Sequence, residues 1–155
     1  SLQGSGFTLP NSVPAAFTVS ATSPADTLSF YSNFGTSDFD IAAPGGWYET
    51  IPRTLGETGE PGDIPFPENG VLSTIPVDQG EYGYKSGTSM AAPQVAGLAA
   101  LVRELEPGAN ASRVEQAIQK GAEFANGKSD SEFGAGIINA LNTVERLAKK
   151  NGKKK

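Results

Sequence analysis

The stretch "YKSGTSMAAPQVAGLAALV", Tyr84–Val102, predicts the point at which a loop becomes a helix. Proline is tolerated in the first turn of a helix but breaks a helix interior, so Pro93 indicates that the helix starts close to Thr88 and Ser89. Glu106-Pro107-Gly108 is typical of a helix end. We therefore predict a buried helix over residues 88–105, with one apolar side formed by Val95, Leu98, Leu101, Val102 and Leu105.

Ser89 is a candidate nucleophile because of its place at the predicted helix start. A side chain there lies at the positive end of the helix dipole, beside N–H groups that have no intrahelical acceptor. An oxyanion forming next to Ser89 would be stabilised by these donors, including the N–H of Ser89 itself. The small residues around it, Gly87 before and Ala91 and Ala92 after, leave room for a substrate. The residues alone leave a second interpretation open, in which Ser89 only caps the helix.

The rest of the chain predicts an α/β layer arrangement, because apolar strand-like runs alternate with helical periodicity. A capping box beginning at Ser112 predicts a second helix, and a third helix follows "FGAGIINA". We predict one domain over residues 1–148, a long surface loop over 47–70 and a lysine-rich tail over 149–155. The predicted strands lie at Ala15–Ser23, Phe39–Ala42 and Val71–Pro76.

Composition excludes several classes of function. The chain contains no cysteine, which rules out disulfides and thiolate metal sites. No run approaches the ~18 apolar residues of a membrane span. Five of the 12 basic residues lie within residues 149–155, whereas all 17 acidic residues precede them. The strongly acidic body would repel phosphate backbones, so we expect no nucleic-acid partner.

Several segments resemble one protein family in the same order along the chain. "SGTSMAAPQVAGLAAL" is similar to the serine-nucleophile motif of the subtilisin family, the subtilases. "SVPAAFTVSATSPADTLSFYSNFGTSDFDIAAPGG", "VLSTIP" and "FGAGIINA" resemble family segments on either side of that motif. The resemblance implies the C-terminal part of a subtilisin-like α/β domain, in which a mostly parallel sheet is flanked by helices.

The resemblance also implies roles for individual residues. Ser89 would be the catalytic nucleophile of a serine endopeptidase. Gly87 and Thr88 would shape the substrate-binding loop before it. Gln94 occupies a position where many members have a histidine that is not the catalytic base. The remaining substrate-binding candidates lie near the start of the chain, at Phe7, Thr8 and Leu9.

The chain contains no histidine, so it has no candidate for the family's general base. A serine hydroxyl is a weak nucleophile without a base, and the family's base is a histidine oriented by an aspartate. The family's Asp, His and oxyanion-hole Asn all precede the matched segments. We therefore expect a nucleophile-bearing C-terminal fragment that is inactive alone and needs an N-terminal part of the same protease. The alternative is a non-catalytic binding or complementation fragment derived from a subtilase.

The remaining expectations concern partners, location and metals. A peptide or protein substrate is implied, a propeptide is a further candidate partner, and the family indicates a secreted or extracellular protein. No cofactor is required by the predicted chemistry, and calcium is a candidate. Asp38 and Asp40 are the candidate ligands, because strand alternation directs both carboxylates to one face. Calcium takes six to eight oxygens, and a solvated acidic edge is the alternative interpretation of this pair. Cleavage specificity does not follow from the sequence.

Overall fold

The computed structural model describes residues 16–34, 40–47, 69–124 and 133–152. These residues form an α/β fold of short strands and three helices, as predicted. A 3-10 turn at Val77–Gln79 lies between the third and fourth strands. The elements are β1 Val19–Thr22, β2 Ile41–Pro44, β3 Val71–Thr74, β4 Tyr82–Lys85, α1 Thr88–Leu105, α2 Ala111–Gly121 and α3 Ala140–Gly152.

Strands β1 and β2 are parallel and buried on both faces. Ala21 of β1 and Ala43 of β2 pack towards α1, and Ser20 and Ala42 point to the opposite face. Small side chains on both faces allow helices and loops to approach closely, which is the usual environment of a parallel pair. Strand β1, at Val19–Thr22, is shorter than the predicted Ala15–Ser23, and β2, at Ile41–Pro44, lies two residues later than the predicted Phe39–Ala42.

The segment predicted from "FGAGIINA" covers the far side of β2. Ala42 and Ile137 form a parallel bridge, in which the Ala42 amide donates to Gly136 and the Ile138 amide donates to Ala42. Gly136 has a φ of +118°, and a Cβ there would lie 2.7 Å from the Glu123 carbonyl oxygen. Only glycine meets both conditions, so this position fixes how the chain returns to the sheet before α3.

Helix α1 has the bounds that the sequence predicts, but it is not buried all round. Its buried residues form one stripe, which packs on the sheet and on α2 and α3: Ala91, Val95, Leu98 and Val102. Leu101 is 49% exposed, so its predicted place in the core is wrong. It lies on the flank of the buried stripe, where nothing in the described part of the chain covers it.

Helix α2 starts at a different cap from the one predicted. The Asn110 side chain accepts the Arg113 amide at 2.9 Å, and Ser112 lies inside the helix. The capping box at Ser112 is therefore wrong. Arg113 also donates to both carboxylate oxygens of Glu106, at 2.7 and 2.8 Å. This hydrogen-bonded pair raises the pKa of Arg113 and joins the end of α1 to the start of α2.

Strands β3 and β4 form an antiparallel hairpin that leads into α1. Leu72 pairs with Tyr84, and Val71 pairs with Lys85, two residues before Gly87. The strand predicted at Val71–Pro76 ends earlier, at Thr74. Residues 48–68 of the predicted surface loop lie outside the described residues. Among the helices of the described part, none has the length and hydropathy needed to span a membrane.

Candidate active site

Ser89 is the second residue of α1 and is exposed. Gly87 is the N-cap, with a φ of +153° that side-chain-bearing residues rarely adopt. The helix-cap interpretation of Ser89 is therefore wrong, because its side chain projects from the first turn and makes no cap hydrogen bond. The Ser89 hydroxyl therefore lies at the helix start without capping the helix.

The amides at the start of α1 are the second component of the site. The Met90 and Ala91 amides donate back to the Gly87 carbonyl, at 2.9 and 3.4 Å. Within the described residues, the amides of Thr88 and Ser89 donate to no acceptor. Unpaired N–H groups at a helix N-terminus favour an adjacent negative charge. The arrangement therefore suits a reaction in which an oxyanion forms beside the Ser89 hydroxyl.

Pro93 lies inside α1, in its second turn, and not in the first turn as the sequence predicted. Proline has no N–H. The Ser89 carbonyl therefore lacks the donor that residue 93 would supply in a regular α-helix. The turn that carries Ser89 is thus tied to the helix by fewer backbone hydrogen bonds than an ordinary first turn. Contacts from outside the helix have to hold it.

Those contacts come from the Pro44–Gly46 segment, which we call the glycine turn. The Gly45 carbonyl accepts the Gly87 amide at 2.8 Å, while the Gly45 and Gly46 amides donate to Thr22 at 2.9 and 3.1 Å. A Cβ at Gly45 would lie 2.5 Å from the Ala21 Cβ, and Gly46 has a φ of +80°. Neither position accommodates a side chain, so the glycines allow β2 and the Ser89 loop to approach closely.

Side chains hold all three carbonyls of the glycine turn. The Tyr31 hydroxyl lies 2.7 Å from the carbonyl oxygens of both Gly45 and Gly46. The buried Ser29 hydroxyl donates to Gly46 at 2.8 Å. The Gln94 amide nitrogen donates to Pro44 at 2.6 Å and to Met90 at 3.0 Å. Sequence reasoning did not assign Tyr31 or Ser29 to the site, and it noted Gln94 only as a position where many family members have a histidine. A lone Tyr, Ser or Gln carries no periodic signal of such a role.

The predicted substrate-binding residues divide into two groups. Gly87 and Thr88 directly precede Ser89 in the chain. Phe7, Thr8 and Leu9 lie outside the described residues. The Met90 sulfur lies 3.8 Å from the position a Cβ would take at Gly87, so this side chain packs beside the Ser89 loop.

The predicted calcium ligands are only partly described. One Asp40 carboxylate oxygen accepts from the Thr18 amide and hydroxyl, at 2.7 and 2.8 Å, which ties β2 to the start of β1. Asp38 lies outside the described residues. Among the residues that are described, no three acidic or other metal-ligating side chains cluster. Because calcium takes six to eight oxygens, Asp40 alone does not make a site, and calcium stays a prediction that depends on Asp38.

An exposed serine, unpaired helix-start amides and a glycine turn beside a parallel strand lie together at the start of α1. The sequence model of the Subtilase family matches residues 3–136, and the chain belongs to this family. The relatives that it matches are serine proteases.

Two relatives illustrate the match. The chain is 35% identical over 134 residues to a protein of Xanthomonas campestris pv. campestris named "Extracellular protease", covering 85% of this chain and 20% of that protein. It is 33% identical over 144 residues to thermitase of Thermoactinomyces vulgaris, covering 90% of this chain and 41% of thermitase. The chain therefore spans less than half the length of these relatives.

Solved structures agree with the fold. A protease from Pseudoalteromonas arctica superimposes with a TM-score of 0.71 and 28% identity, over 90% of this chain and 38% of that one. The epidermin leader peptide processing serine protease of Staphylococcus aureus superimposes with a TM-score of 0.69 and 27% identity, over 89% of this chain and 32% of that one.

Proposed function

We propose that this chain carries the nucleophile of a secreted serine endopeptidase, with Ser89 as the attacking residue. The observation that carries the proposal is the geometry of Ser89, exposed in the first turn of α1 beside two unpaired amides. Family membership supports the reaction class, and the names of extracellular relatives support secretion.

The proposed chemistry is acyl transfer. The Ser89 hydroxyl attacks the scissile carbonyl carbon, and its proton passes to a base. The carbonyl oxygen becomes an oxyanion, which the Ser89 amide stabilises at the positive end of α1. The base returns its proton to the leaving nitrogen as this intermediate collapses, which releases the amine-side product and leaves an acyl-enzyme that water then hydrolyses. Gly87 and Thr88 shape the substrate-binding loop before Ser89.

The family's base is a histidine, and the 155 residues include none, so the proposal places the base outside these residues. We assign the His, the Asp that orients it and an oxyanion-hole Asn to an N-terminal part of the same protease. The exposed side of α1 supports a packing partner, since its apolar Leu101 and small Ala96 and Gly97 face solvent in this chain. A peptide or protein is the substrate, a propeptide is a further candidate partner, and calcium remains a candidate ion.

A second function follows from the same absence of histidine. Without a base, the chain acts as a non-catalytic binding or complementation fragment that retains only the shape of a subtilase. The two functions differ in whether Ser89 becomes reactive when the N-terminal part is added.

Covalent labelling separates them. The chain is combined with an N-terminal subtilase polypeptide that supplies Asp, His and Asn, treated with an organophosphonate or sulfonyl fluoride, and mapped by mass spectrometry. We expect one label on Ser89, none on the exposed Ser112, and none in a Ser89→Ala variant. The Ser89→Ala complex loses several orders of magnitude in peptide hydrolysis. The chain alone hydrolyses peptide no faster than its Ser89→Ala variant. An active complex labelled at another residue would refute the assignment of Ser89.

A further inference from the structure

The position of Ser89 depends on one backbone hydrogen bond between two segments that are far apart in sequence. The Gly87 amide donates to the Gly45 carbonyl at 2.8 Å, and the Gly87 carbonyl in turn accepts the Met90 and Ala91 amides of α1. Gly87 is therefore the link through which the glycine turn sets the origin of the helix. Since Ser89 follows two residues later, a shift of the Gly45 carbonyl moves the Ser89 hydroxyl with it.

The Tyr31 side chain also contacts this acceptor. Its hydroxyl oxygen lies 2.7 Å from the carbonyl oxygens of both Gly45 and Gly46, which are the two acceptors for its single proton. The ring is fixed by an edge contact with Phe30, which itself contacts Trp47. A Cβ at Gly45 would lie 3.0 Å from both the Tyr31 hydroxyl and the Gly87 carbonyl oxygen. The hydroxyl and the Ser89 loop therefore pack on the same residue.

Gln94 makes the second link between the glycine turn and α1. Its amide nitrogen bridges the Pro44 carbonyl, at 2.6 Å, and the Met90 carbonyl, at 3.0 Å. Met90 directly follows the nucleophile, in the turn that Pro93 deprives of a backbone hydrogen bond. The Gln94 side chain replaces part of that lost restraint, and it does so by binding the helix to the same turn that Tyr31 holds.

We propose that Tyr31 and Gln94 are positioning residues for Ser89: together they clamp the glycine turn to the start of α1 and fix the direction of the nucleophile. Neither side chain transfers a proton or contacts the reacting atoms. Their effect on rate rests on the proposed function, whereas their effect on the Gly87–Gly45 hydrogen bond does not.

The kinetic test uses the assembled protease, with Tyr31→Phe and Gln94→Met as near-isosteric changes. A small displacement of a nucleophile reduces the chemical step without weakening substrate binding, so we expect kcat to fall about tenfold in each variant with KM within about twofold. The double variant should lose less than the product of the two single losses, because both side chains act on one turn. Tyr82→Phe and Gln116→Met, which change exposed residues away from the turn, serve as matched controls and keep the wild-type kcat.

The structural test measures amide hydrogen exchange at Gly87 in the same assembled protein. Loss of either side chain of the clamp should speed exchange of the Gly87 amide about fivefold or more, with the exchange of α2 amides unchanged. If the Gly87 amide exchanges faster in the variants but the wild-type complex has no enzymatic activity, the clamp stands and the proposed function is refuted. An active wild type whose variants keep both kcat and Gly87 exchange would overturn the clamp. A rise in KM at unchanged kcat would overturn it as well, since it would assign the two residues to substrate binding.

Discussion

The exposed side of α1 gives the sharpest test of whether another polypeptide packs on this chain. The change is Gly97→Ala. A Cβ at Gly97 would find no heavy atom within 4 Å, so the methyl group meets only solvent in this chain. Glycine inside a helix is about 1 kcal/mol less favourable than alanine. In residues 1–155 alone, the substitution should therefore raise the free energy of unfolding by about 1 kcal/mol.

In the assembled protease, we expect the Gly97→Ala substitution to be unfavourable instead. If the N-terminal part packs its backbone against Gly97, the added methyl overpacks that contact at a cost of about 1–3 kcal/mol. The helix-propensity gain is present in both the free and the bound folded chain, so only the overpacking weakens association. Even 1 kcal/mol weakens binding about fivefold, so the dissociation constant should rise by at least that factor.

Urea unfolding followed by circular dichroism measures the first effect, and calorimetric titration of the N-terminal polypeptide measures the second. Gly121→Ala is the contrasting variant, because its Cβ would lie 2.7 Å from the Thr143 Cα where α2 meets α3. It should destabilise the isolated chain. A Gly97→Ala chain that gains stability and still binds the N-terminal polypeptide with wild-type affinity would refute a partner on this side of α1.

Three further predictions concern this chain by itself. Gly45→Ala forces a Cβ to within 2.5 Å of a neighbouring side chain, and we expect it to lower the urea unfolding free energy by about 2 kcal/mol; wild-type stability would contradict the close packing. Asn110→Ala removes the α2 cap and should cost about 1 kcal/mol, whereas Ser112→Ala should leave the thermal midpoint nearly unchanged; the reverse order would restore the capping box. Glu106→Gln weakens the bidentate contact with Arg113 and should cost about 1 kcal/mol at low salt, with a smaller difference in high salt; a salt-independent loss would assign the effect to packing.

The start of α1 could be predicted from sequence because the signal is local. Glycine, hydroxylated residues and a nearby proline each restrict the backbone within a few residues of Ser89. The start of α2 shows the limit of such signals. Asn110 and Ser112 are both good caps, and the structure uses Asn110 because its side chain reaches the Arg113 amide. Both residues are adequate caps, and only the path of the preceding chain decides which of them caps α2.

The exposure of Leu101 and the glycine-turn clamp could not be predicted for a different reason. Periodicity places Leu101 near the apolar stripe, but burial depends on which elements cover each flank, and that is a property of the whole assembly. Tyr31 contacts carbonyls 14 and 15 residues away. Such a contact leaves no pattern in the sequence, because its acceptors are backbone atoms that every residue possesses.

Orientation and activation of the nucleophile are separable in this molecule. The groups that fix the direction of Ser89 lie within the described residues, since Gly45 and Gln94 both bind the start of α1. The family's general base, a histidine, is absent from the 155 residues. Under the proposed function, partner binding brings that base to a serine that is already placed, and need not order the Ser89 loop. On this argument, the Gly87 amide should be protected from hydrogen exchange to a similar degree in the isolated chain and in the complex. Protection that develops only in the complex would mean that the partner also builds the loop.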